Sequence, residues 1–62
     1  MLEDIVIKVS RIGRATVVGL TKRGQAWIRD NMTQESPVSI DGEHVSEIAQ
    51  LMKDAGLTVI VR

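Results

Sequence analysis

Cysteine, phenylalanine and tyrosine are absent from this sequence, and histidine, proline and tryptophan occur once each. Without cysteine no disulfide can form, and with His44 as the sole imidazole the usual zinc and copper sites lack their ligands. No metal or cofactor is expected. A single aromatic, Trp27, is too few for a base-stacking platform, which argues against RRM-like or OB-like single-strand binding and makes Trp27 the expected core anchor of a helix. The strictly apolar runs are only a few residues long, far below the ~20 that a membrane span requires, so no membrane association is expected. Glu3 and Asp4 put acids where a secretory signal carries basic residues ahead of an apolar stretch, and the expected compartment is the cytoplasm.

What is present is compatible with one small domain over 1–62. The 62 residues are 44% hydrophobic and 26% charged, and the large apolar set is mostly β-branched, which implies a sheet-rich core. Below roughly 70 to 80 residues a single core seldom supplies more than ~3 to 5 kcal/mol unaided. With disulfides and metals excluded, association with a second chain is the one reinforcement left.

Ile5, Ile7 and Val9 alternate with Lys8 and Ser10, the period-two pattern of a half-buried strand, with Val6 the only exception. Ala15 to Leu20 forms a second β-rich run, and Arg11-Ile12-Gly13 between them has the form of a three-residue loop closed by a left-handed glycine. A β-hairpin is therefore predicted over 4–20. Thr21 can cap a following helix over about 22–31, whose apolar face holds Trp27, Ile28 and Met32. Gly24 falls on that face, implying close approach of its backbone to the sheet. Residues 33–37 form a polar connection containing the only proline, and Val38-Ser39-Ile40 reads as a short strand.

Asp41-Gly42 could be a hairpin turn, but the stripe Val45, Ile48, Ala49, Met52, Ala55 is longer and favours a helix over about 42–55. Asp41 would be its N-cap, with Glu43 and Glu47 toward the positive end of its dipole and Lys53 toward the negative end. Gly56 would stop it, with Leu57 folding back onto Met52. Leu57 to Val61 is short, β-branched and nearly apolar on both faces, a strand that calls for cover on both sides. The order β-β-α-β-α-β predicts a two-layer α+β domain with two helices packed on one face of a small sheet.

The net charge of zero hides an asymmetry. Lys8, Arg11, Arg14, Lys22, Arg23 and Arg29 stand between Ile5 and Arg29 with no acid among them, whereas over 35–62 five acids face only Lys53 and Arg62, a net −3. Surface scatter, self-association of a basic with an acidic face, and an anionic partner on the hairpin side all account for this pattern. Lys22 and Arg23 oppose the dipole of the first helix, and together with its free N–H groups they could hold a phosphate or carboxylate. Gly19 to Gly24 has the glycine spacing of a phosphate loop, but Gln25 and Ala26 stand where that loop needs Lys and Ser or Thr.

No catalytic residue is assigned. Asp41, His44 and Ser46 would point in different directions on a helix, and His44, Glu43 and Glu47 are expected on its wet face. Helix-turn-helix is a poor fit because about ten residues, including a strand, separate the two helices. Ribbon-helix-helix leaves the hairpin and the last strand unaccounted for.

Two resemblances add to this reading. Lys8-Val-Ser-Arg-Ile-Gly-Arg-Ala-Thr-Val17 resembles the start of the AbrB/MazE-like swapped-hairpin antitoxins and transition regulators, with the pattern K-V-x-x-x-G-R-x-T-[IV]-P. The match covers ten residues and departs at Val18, where that family has proline. It implies intertwined dimers that bind DNA through hairpin cations, here Arg11 and Arg14. Leu20-Thr21, Trp27-Ile28, Asn31, Val45, Ile48, Met52 and Ala55-Gly-Leu-Thr-Val59 are similar to a group of short bacterial, plasmid and phage open reading frames, which implies an accessory role without assigning a reaction. The reading favoured is a non-enzymatic accessory or regulatory module that self-associates and offers Arg11, Arg14, Lys22 and Arg23 to a macromolecular partner, protein rather than DNA. The alternative is an antitoxin-like or regulatory DNA-binding module that uses the basic hairpin.

Overall fold

The computed structural model describes residues 2–32 and 38–62, so the expected connection over 33–37 lies outside the described residues. The elements are β1 (Ile5–Val9), β2 (Arg14–Gly19), α1 (Lys22–Asn31), β3 (Val38–Asp41), a single 3-10 turn (Gly42–His44), α2 (Val45–Asp54) and β4 (Val59–Val61). The predicted β-β-α-β-α-β order is the observed one. The four strands form one mixed sheet in the order β3-β2-β1-β4, with β1 antiparallel to β2, β2 antiparallel to β3, and β1 parallel to β4. Among the described residues no helix is long and apolar enough to cross a membrane.

The hairpin forms as its sequence dictates. Ser10 N–H donates to the Arg14 carbonyl at 2.7 Å and Gly13 N–H to the Ser10 carbonyl at 3.2 Å, and Gly13 takes φ +81°, the left-handed value that closes a three-residue loop. Strand alternation sends Ile5, Ile7, Ala15 and Val17 to one face, where they meet Ile28 of α1, Ala49 and Met52 of α2, Val38 and Leu57 in a single core. The side chain fully buried from α1 is Ile28, at 1% exposure. Trp27, the expected anchor, is half-buried against the same core, because it lies on the flank of the apolar stripe whose centre is Gly24 and Ile28.

Thr21 caps α1 as expected, its Oγ1 accepting the Gly24 N–H at 3.1 Å. Gly24 is a contact point rather than a flexible link. A Cβ there would collide with the carbonyl of Asp4, so the missing side chain sets the distance between α1 and the sheet.

The second helix departs from expectation at its start. The α-helix begins at Val45, behind the 3-10 turn, and Asp41 makes no capping bond. Its carboxylate is held by Arg14, directly opposite in the β2–β3 register, at 3.1 Å. Gly42 serves another purpose: its N–H donates to the Gly13 carbonyl, and a Cβ at Gly42 would strike that same oxygen. The end of the helix is as predicted. Gly56 at φ +88° places its N–H on the Lys53 carbonyl at 2.9 Å and the Leu57 N–H on the Met52 carbonyl at 3.1 Å, the paired bonds of a Schellman cap. The last strand is shorter than expected, 59–61, because Leu57 belongs to that cap and Thr58 to the junction described next. Among the described residues β4 is an edge strand with helix cover on one side.

Candidate interaction surface

Three surfaces come together around the hairpin: its tip, its base, and the sheet face turned away from the helices. The base is organised by Asp4, which is 5% exposed. Its Oδ1 accepts from Thr21 Oγ1 at 2.5 Å, and its Oδ2 accepts from Arg23 Nη2 at 2.6 Å and from the Thr58 N–H at 2.9 Å. Its own N–H donates to the Thr58 carbonyl at 2.9 Å, and its carbonyl accepts the Leu20 N–H at 2.9 Å. Arg23 also reaches the Gly56 carbonyl at 3.2 Å. One residue thus joins the start of β1, the exit of β2, the N-terminus of α1 and the entry to β4. The Arg23 guanidinium, then the Thr21 hydroxyl and the Thr58 N–H, hold the Asp4 carboxyl far below the usual carboxylate range, against the opposing effect of burial. Asp4 in turn raises the pKa of Arg23.

Of the two cations expected to hold an anion at the start of α1, Arg23 is engaged by the chain's own Asp4 carboxylate, and Lys22 is not. Sequence reasoning missed Asp4. The available signal was an acid immediately before an apolar strand, in a chain whose first helix begins with two cations.

The four cations singled out from sequence are divided between the two ends of the hairpin. Arg11 and Arg14 are at the tip, Lys22 and Arg23 at the base. Arg14 is engaged with Asp41 and donates to Ser39 Oγ at 3.4 Å, and Arg23 is engaged with Asp4. Arg11 and Lys22 are exposed and, among the described residues, make no ion pair. Beside Arg11, Ile12 stands at the hairpin tip with 85% exposure. His44 is exposed, with Nδ1 4.0 Å from Glu47 Oε2, and Asp41 is directed to Arg14, so Asp41, His44 and Ser46 do not converge. Among the described residues no three His, Cys, Asp or Glu side chains gather as metal ligands do.

The sheet face opposite the helices is ordered in rows. Val6 pairs with Val18 on one side and with Ile60 on the other, giving an apolar row Val18–Val6–Ile60 across three strands. Next to it, Lys8, Thr16 and Ser39 form a polar row, followed by Arg14 and Asp41. Val6, the residue out of phase in the strand pattern, is only 4% exposed at the centre of its row. At the β4 edge, Ile5 N–H donates to the Thr58 carbonyl at 3.1 Å and Arg62 N–H to the Ile7 carbonyl at 2.8 Å. In a parallel ladder alternate residues face the neighbouring strand, so Thr58, Ile60 and Arg62 point their main-chain groups at β1, while those of Val59 and Val61 point outward.

Compared with protein-family models, with curated proteins and with solved structures, the chain matches none.

Proposed function

We propose that this chain is a non-enzymatic accessory or regulatory interaction module that works as a homodimer in the cytoplasm. The observation that carries the reading is the one-sided cover of the sheet: both helices pack on one face, and on the other, although Val6 is buried within one chain, its row neighbours Val18 and Ile60 are only partly covered and the apolar edge strand β4 is left open among the described residues. A chain without disulfides gains from association what a larger core would otherwise provide. A protein is favoured over DNA as the further partner because two of the four candidate cations, Arg14 and Arg23, are neutralised by Asp41 and Asp4, and the four do not share one end of the hairpin. Arg11 and Lys22 remain the cations offered to that partner. Sedimentation velocity across about 10 to 300 µM tests the core of this reading. A species near twice the 6.8 kDa chain mass is expected, and a 6.8 kDa species throughout overturns it.

A second reading, duplex DNA binding by the hairpin tip, draws on Lys8 and Arg11, both exposed and neither in an ion pair among the described residues. Titrating labelled duplex at two salt concentrations tests it. Shifts confined to the tip amides, falling steeply with salt and lost in Arg11→Ala, support it, and their absence removes it.

A further inference from the structure

We infer that the second copy docks on the outer edge of β4, antiparallel, about a two-fold axis passing at Ile60, so that two four-stranded sheets become one continuous sheet. This rests on the homodimer reading above and specifies its contact. The argument starts from the main-chain groups. The N–H and C=O of Val59 and Val61 are directed away from β1, and although the strand is only three residues long, no Pro, Lys or bulge interrupts it between Val59 and Val61. Such an edge is a template for another strand, and natural sheets normally obstruct it.

The sequence makes this edge complementary to itself in one register. With Ile60 opposite its own copy, Val59 faces Val61 of the second chain and Val61 faces Val59, and each of these pairs exchanges both of its outward main-chain bonds. Every outward N–H and C=O of β4 is then satisfied. On the helix side, Val61, which is 48% exposed in one chain, is covered by a valine. On the open side, Ile60 meets Ile60, and the row Val18–Val6–Ile60 runs on into its own mirror sequence across the axis. Charge agrees with the register: Arg62 falls opposite Thr58 and not opposite another arginine. Moving the axis to Val61 would set Ile60 against Arg62 and break up the apolar row. A closed two-fold pairing also uses up the edge, so it ends at two chains and builds no fibre.

The contact is small beside the roughly 800 Å² per partner of a standard interface, and a dissociation constant in the range of about 10⁻⁵ M is expected. The protein has no cysteine, which permits a direct test. Ile60→Cys places two thiols at a pair without main-chain bonds, about 4.5 Å apart at Cα, within the range a disulfide spans. Mild oxidation should cross-link Ile60→Cys quantitatively at about 100 µM, while Lys8→Cys on the same face should remain largely uncross-linked. Val61→Pro deletes an outward N–H without touching the β1 ladder and should weaken dimerisation at least about tenfold with the circular dichroism spectrum retained. Val61→Lys, a charge on the edge, is the second variant should the proline disturb folding. If the wild-type chain dimerises but Ile60→Cys cross-links no better than Lys8→Cys, or a folded Val61 variant dimerises as well as wild type, the edge assignment is overturned while the homodimer stands. A monomeric wild-type chain overturns both.

Discussion

Asp4 is the residue whose replacement should be felt farthest. Its carboxylate is a shared acceptor for Thr21, Arg23 and Thr58, and its removal takes an acceptor from the Thr21 hydroxyl and the Thr58 N–H at once, leaving Arg23 only the Gly56 carbonyl. Asp4→Asn keeps the shape and loses the charge, and a urea melt at neutral pH should show a clearly lower midpoint than wild type. The pH dependence has a definite sign. The folded carboxyl is held below its ordinary value of 3.8, so its contribution is fully present above that value and drains away as pH falls through and below it. Wild type should therefore lose stability toward Asp4→Asn on acidification below about pH 4, so that the two curves converge in acid urea melts. The neighbouring cations should separate cleanly: Arg23→Ala lowers the midpoint, whereas Lys22→Ala stays within about 0.5 kcal/mol of wild type. Gly24→Ala is the sterner case. Alanine gains about 1 kcal/mol of helix propensity, but its Cβ enters the space of the Asp4 carbonyl. A net loss of about 1 to 3 kcal/mol is expected by thermal or urea unfolding, since main chain yields less than a side chain does.

At the scale of elements, each helix is held by very few buried side chains, Ile28 from α1 and Ala49 with Met52 from α2. Ile28→Ala or Met52→Ala should each cost about 2 to 5 kcal/mol, comparable with the whole stability of a domain this small. Loss of the cooperative thermal transition is the expected readout. These helices were legible in the sequence because their determinants are local: Thr21 three residues from Gly24, Gly56 three residues before Val59 of the last strand, apolar residues at helical spacing. The hairpin was legible for the same reason, since Gly13 closes a loop within its own turn. Asp41 was read as a cap because its nearest neighbours recommended it, while the residue that holds it, Arg14, is 27 positions away. Asp4 escaped notice on the same ground, with partners 17, 19 and 54 positions distant. Local chemistry announces turns and caps, and only the assembled sheet decides which ion pairs and close approaches are made.

For the molecule as a whole, pairing through β4 makes stability a function of concentration. Wild type should show a melting temperature that rises with chain concentration over about 10 to 300 µM, and Val61→Pro should show one that does not. In a wild-type dimer the Val59 amide should also exchange with solvent more slowly than in the variant, measured by hydrogen exchange.

The parallel pairing of β1 with β4, secured where Asp4 meets Thr58, has one more consequence, in the order of events during synthesis. β1 is an inner strand, yet one of its two neighbours is built from residues 59–61, more than fifty positions later. A growing chain can close the β1–β2 hairpin early, a local step of about 1 to 10 µs. It cannot complete the flank of β1 or satisfy the Asp4 carboxylate until Thr58 and β4 have emerged from the ribosome. Until then Ile5 and Ile7 have an unfinished edge beside them, so sheet closure depends on the slowest kind of contact, one between distant parts of the chain.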